Sequence, residues 1–343
     1  MLKTVMGLSL ATLLLSSYGS VANAESQPST QTVVAKKSAE GSGMLARAPW
    51  RGTSVTLHNE VGVPTFDPSA NLTYNPYWSM SLRFNAQWWF NDTFYMRGMF
   101  SLTREMTHSD FTTQQGEIWA SDVTLRTGAS RFYQIPLVGV DLSAHLDLIA
   151  PTSKVSQART TILGVRPTIQ LSRRFDLLKG MNLSYRFSTQ KTFHRHTTAE
   201  RDVPLISGCS ESETGCSEYL NTGSRNASWR LSHSAHLSQQ FTDWLGASVT
   251  FGVVTDFLYA SVSDPAVSFT PMVPENQRHW LTSDINIAFK PLKAMSISVG
   301  ASSYHSQLNQ SSSYQTPFFN RYTTVYVDLG LNIAGLISQI SEG

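Results

Sequence analysis

The sequence predicts an all-β fold: a single transmembrane antiparallel up-and-down β-barrel of about twelve strands. Three observations predict it. Segments that alternate apolar and polar residues recur at strand length; the connections between them are by turns short and long; and charge is scarce although no long apolar run is present. Of the 343 residues, 41% are hydrophobic and 15% charged, the latter well below the roughly 25% of soluble domains. Beyond residue 24 no segment is apolar over the roughly 18 residues that mark a membrane helix. A membrane-crossing strand makes no such demand, because only every second residue faces lipid. The length suits one large barrel.

The chain opens with export signals. Lys3 gives a short basic start, Val5 to Leu15 an apolar core, and Ala22-Asn23-Ala24 a small-x-small site that places cleavage between Ala24 and Glu25. Residues 1–24 therefore read as a signal peptide. Residues 25–50 hold Ser, Gln, Thr, Lys and Gly with little periodicity and read as a flexible leader. Export also decides the cysteines: Cys209 and Cys216, in CSESETGC, are expected to form a disulfide closing a small loop. With 26 basic against 24 acidic residues, nothing favours nucleic acid as a partner.

The barrel is expected over 51–336, with 337–343 as a tail. SVTLHNEV (54–61) is the first strand. In the second, within YWSMSLRFNAQWWFND (77–92), Trp78, Met80, Leu82, Phe84, Ala86 and Trp88 oppose Ser79, Ser81, Arg83, Asn85 and Gln87. FYMRGMFSL (94–102) follows, with Phe94, Met96, Phe100 and Leu102 against Tyr95, Arg97 and Ser101. The same texture runs through WASDVTLRT (119–127), VGVDLSAHLDLIA (138–150), TILGVRPTIQLS (161–172) and NLSYRFSTQ (182–190). It returns in WRLSHSAHLS (229–238), ASVTFGVVTDF (247–257), LTSDINIAF (281–289), MSISVGASS (295–303) and TTVYVDLGLNI (323–333). Pro167 lacks a ladder donor and predicts a bulge or a misplaced boundary in the sixth.

Asn91 to Thr93, Phe241 to Trp244 and Lys290 to Leu292 are short connections; 103–118, 191–227, 258–279 and 304–321 are long. Tight turns at one end and extended loops at the other are the habit of an exported barrel, and an even strand count puts both termini at the turn end. Aromatic residues gather near strand ends, among them Trp78, Trp88, Trp89, Phe94, Trp119, Trp229, Trp244, Trp280 and Phe289, as a pair of interfacial girdles requires.

In this pattern the chain resembles the bacterial outer-membrane β-barrel proteins of porin-like class, over about 51–336. Asp328-Leu329-Gly330-Leu331-Asn332-Ile333 is similar to their last-strand assembly signal, although Gly335 stands where a final apolar residue is usual. The resemblance implies the outer membrane of a Gram-negative bacterium, periplasmic termini, and lipid and the assembly machinery as partners. Barrels of this strand number serve as channels for acidic oligosaccharides or nucleosides, as a phospholipase, or as autotransporter translocators.

If the apolar rows face lipid, the polar rows line the lumen. The alternation turns Arg83, Arg97, Arg126, Arg166, Arg186 and Arg230 inward on one side, and Asp256, Asp284 and Asp328 inward on the other. Asp122, Asp141 and Asp147 interrupt the basic side, with His145 between the last two. Opposed charged walls set a transverse field in which a polar solute can be oriented. The expected function is a channel for passive diffusion of small hydrophilic solutes, anions in particular, with no cofactor. The alternative is a plugged structural or adhesin-like barrel that mounts the disulfide-stapled loop 191–227, since narrow barrels fill themselves with ion pairs. A lipase-like barrel needs a serine, a histidine and an orienting polar group within hydrogen-bond reach, and resemblance to the outer-membrane phospholipase family would imply a His-x-Ser on the lipid-facing side. The only His-x-Ser, His236-Leu237-Ser238, turns inward, so no catalytic residue is expected. His194-Arg195-His196 lacks further ligands at metal-binding spacing and reads as solvated loop.

Overall fold

Alternation of the kind in WSMSLRFNAQWW fixes where a sheet must curl, because one whole face has to leave water. In the computed structural model, which describes residues 48–66, 76–107, 116–199, 225–260, 276–309 and 311–342, the sheet closes on itself. The strands are β1 (Ser54–Gly62), β2 (Trp78–Trp89), β3 (Phe94–Glu105), β4 (Ile118–Ala120), β5 (Val123–Ile135), β6 (Val140–Ala150) and β7 (Thr161–Phe175). They continue as β8 (Met181–His194), β9 (Ala227–Gln240), β10 (Leu245–Leu258), β11 (Gln277–Leu292), β12 (Met295–Ser306) and β13 (Thr323–Asn332). β4 and β5 both pair with β3 and are separated only by Ser121-Asp122, so they form one stave. Twelve antiparallel staves result, closed by the β1–β13 ladder.

The faces divide as the alternation requires. On β2, Leu82 and Trp88 are 36% and 48% exposed, whereas Ser81 and Gln87 are 6% and 5% exposed. Apolar residues therefore cover the outside and polar ones the inside, the reverse of a soluble barrel. The strands are also strongly tilted. A row of outward neighbours that starts at Leu183, near the turn end of β8, passes through Leu237, Val249, Ile285, Ala301, Val325 and Val61 and arrives at Trp78, at the loop end of β2. Every member of that row is apolar.

Three local expectations change. Pro167 causes no shift of register: it pairs with Leu146 on β6, and the β8 ladder runs in one register from Val165↔Lys191 to Thr168↔Ser188. The irregularity of β7 lies between Thr161 and Leu163 instead. Second, Trp89, Trp119 and Trp280 belong to inward rows, where each indole finds an acceptor: the Arg51 carbonyl at 2.9 Å, Glu117 at 3.1 Å and Asp256 at 3.1 Å. An indole N–H needs such a partner more than it needs a headgroup. Third, the last strand stops at Asn332, and the chain turns into a helix, Ile333–Glu342. Gly335 permits this turn, since a Cβ there would sit 2.5 Å from the Lys293 carbonyl oxygen.

The strand ends that the long connections join lie at one end of the barrel, and the described chain enters β1 and leaves β13 at the other. Helix α1 (Lys154–Ala158), capped by Ser153, stands in the β6–β7 connection. Residues 311–322 fold back down the outside of the wall as a strap: Phe318 meets Phe251 at 6.4 Å between ring centroids, and Asn320 donates to Ser303 at 3.0 Å. At the turn end, residues 48–53 run beside β2, where the Trp89 amide donates to the Pro49 carbonyl at 2.6 Å and the Arg51 guanidinium lies 4.2 Å from the Trp89 ring.

Candidate functional site: the charged lumen

Residue parity and register together build the inner wall. Arg83, Arg97, Arg126, Arg166 and Arg186 stand on inward rows of β2, β3, β5, β7 and β8, all on one arc of the ring. Asp147, wholly buried, lies between two of them. It accepts from Arg126 at 2.7 and 3.0 Å and from Arg166 at 2.9 and 3.0 Å, so one carboxylate is shared by two guanidinium groups. Arg97 is held by Gln87, its Nε 2.7 Å from the amide oxygen, and Arg186 donates to Gln170 at 3.3 Å. The arc keeps a surplus of positive charge at its centre. Gly128 makes room there for Tyr95, whose Cζ and hydroxyl oxygen lie 2.9 Å from where a Cβ would be.

The facing arc, β11 to β1, carries the acids. His58 on β1 sits 2.6 Å from Asp328 on β13 and 3.3 Å from Glu60. Tyr77 and Ser79 donate to Glu60 at 3.1 and 3.0 Å. Tyr326 crosses above Gly300 on β12 and donates to Asp284 on β11 at 2.7 Å. A Cβ at position 300 would lie 2.5 Å from that ring, so only glycine lets the tyrosine span two strands. Between the arcs, Arg230 and Asp256 neutralise one another through a two-pronged contact at 2.6 and 3.0 Å.

Other expected positions have local duties. Asp122 lies in the β4–β5 gap and accepts from the Ser153 amide at 2.8 Å and from the Ser156 hydroxyl, anchoring α1 at the loop end. Asp141 is at the turn end, where Gln134 donates to it at 3.2 Å. His145 projects inward beside Gly128. His236 faces Thr250 at 2.9 Å on the inside of the wall, and Ser238 shares that inward row. Ala24, Glu25, Cys209 and Cys216 lie outside the described residues. Sequence reasoning passed over His58, Glu60 and Tyr326. The signal was present in the first strand, where His58 and Glu60 share parity with Ser54 and Thr56.

No family model matches the chain, and no curated protein matches it in sequence. Solved structures do resemble it. An outer membrane channel from Pseudomonas putida F1 superposes with a TM-score of 0.50 at 10% identity, over 84% of this chain and 98% of that one. The NanC porin gives 0.42 at 8% identity, over 82% and 98%. The KdgM porin, in complex with disordered oligogalacturonate, gives 0.41 at 7% identity, over 82% and 99%. At such identities the likeness shows the fold alone, that of an outer-membrane β-barrel.

Proposed function

We propose that the chain is a channel of the Gram-negative outer membrane, with its termini in the periplasm, through which small hydrophilic solutes diffuse and anions are favoured. The observation that carries this reading is the lumen: five arginines line the β2–β8 arc, two of them, Arg126 and Arg166, sharing the central carboxylate Asp147, opposite an acidic arc that includes Glu60, Asp284 and Asp328. A solute between the arcs trades hydration for oriented charge, and an anion is drawn to the arginine side. The apolar exterior supports the membrane location, since those rows have no other use.

Single-channel conductance of the refolded mature protein in a planar bilayer tests this, with reversal potential measured under a salt gradient. Discrete steps with anion preference support the arginine arc as a filter. Silence from a folded, inserted barrel favours the plugged, surface-binding reading, toward which the burial of Asp147, His58 and Tyr326 inside the wall already leans.

A further inference from the structure

Hydrocarbon offers no hydrogen bonds, so a polar group on a lipid-facing row needs a protein partner. At β11–β13 the chain supplies its own. Ser283, Ser303 and Thr323 point outward yet are buried beneath the strap, where the Pro317 carbonyl, Asn320 and the Phe318 carbonyl meet them. Outward pairs also lie beyond that cover: Thr255 and His279, 3.1 Å apart near the loop end of β10 and β11, and, deeper in the wall, Tyr185 and His233. His233 stands at the middle of β9, exposed, with Leu231, Ala235 and Leu237 along the same row. Its Nδ1 is 2.6 Å from the hydroxyl of Tyr185 on β8, and its ring centroid is 5.0 Å from that of Phe187. If the tyrosine donates, Nε2 keeps an unmatched proton; if Nδ1 donates, Nε2 keeps an unmatched lone pair and the hydroxyl an unmatched proton. Either tautomer leaves a polar function facing outward in mid-belt.

We propose that this outer face of β8–β9 is the contact between two copies of the chain. Self-complementarity selects a second copy: Nε2 can act as donor or acceptor, so two histidines facing across an approximate two-fold axis along the membrane normal meet at equal depth, and with opposite tautomers one Nε2–H donates to the other Nε2. Ala235, directly beside Tyr185, is small, and Thr189 and Thr255, which flank Leu231 one step toward the loop end, keep the wall low on that side, which lets two walls approach closely. The face also continues into the strap. Phe251 pairs with Ala235 across β9–β10 and carries Phe318, and beyond it Phe319 and Tyr314 are 68% and 80% exposed. The contact thus runs from His233 at mid-depth to the aromatic strap at the loop end.

The test is energy transfer between donor-labelled and acceptor-labelled mature barrels in liposomes, followed as lipid is added, with folding read separately from heat-dependent electrophoretic mobility. The wild type is expected to associate above random proximity. His233→Leu suits lipid better and should fold at least as well, yet need about tenfold more protein per lipid for equal transfer. Tyr185→Phe should shift association the same way. Transfer at the random level in the wild type, or unchanged in both variants, overturns the proposal.

Discussion

Leu82 and Arg83 are neighbours that face different media, and each position answers to its own. Leu82→Arg near the middle of the belt should cost about 2–4 kcal/mol of folding free energy in lipid, read from a urea titration. Arg83→Ala should leave assembly intact and change conductance; equal damage from both would mean the faces are reversed or that Arg83 is a structural ion-pair member. Asp147 makes a sharper case, because two guanidinium groups depend on it. Asp147→Asn should destabilise the barrel by about 3 kcal/mol and move the reversal potential further toward anions, since a buried charge loses its counter-charge. That Arg126 and Arg166 point inward is legible from parity. That they share Asp147 is not, because the sharing depends on the register of three strands, which period 2 leaves open by any even number of residues.

At the scale of elements, legibility tracks how local the cause is. Alternation located twelve staves, from SVTLHNEV to TTVYVDLGLNI, and understated most of their lengths: β11, expected over 281–289, spans Gln277–Leu292. Pro167 misled because one missing donor was read as a bulge, while the β6 and β8 ladders on either side hold the register. The strap was invisible. Ser283, Ser303 and Thr323 interrupt the apolar outer rows, and the returning loop supplies their partners. Asn320 is its clasp, donating to Ser303 and the Thr316 carbonyl and accepting from the Tyr322 amide. Asn320→Ala should loosen the strap by about 1–2 kcal/mol, seen as faster limited proteolysis within 311–322 while the barrel persists. Gly300→Ala acts on the wall itself. The added methyl collides with Tyr326 and with the Ile285 carbonyl 2.6 Å away, and should lower stability by about 1–3 kcal/mol on urea unfolding.

The whole molecule separates what its parts leave mixed. Its formal net charge is only +2, yet ring closure carries the arginines of β2–β8 to one arc and Glu60, Asp284 and Asp328 to the facing one. Closure also joins His58 to Asp328, 270 residues apart in the chain, a pairing that no local pattern foretells. If this segregation governs passage, selectivity is electrostatic and must fade with screening: the Debye length falls from about 10 Å at 0.1 M salt to about 3 Å at 1 M. The reversal potential, measured at a constant salt ratio across the bilayer, should therefore move toward zero as both concentrations rise together. A pore that discriminates by size alone would hold its value. Arg186→Gln should flatten the salt dependence more than Arg230→Gln, because Arg186 stands on the arginine arc whereas Arg230 lies between the arcs in a two-pronged contact with Asp256. If the two variants behave alike, the field arises from the wall as a whole and not from the central arginines.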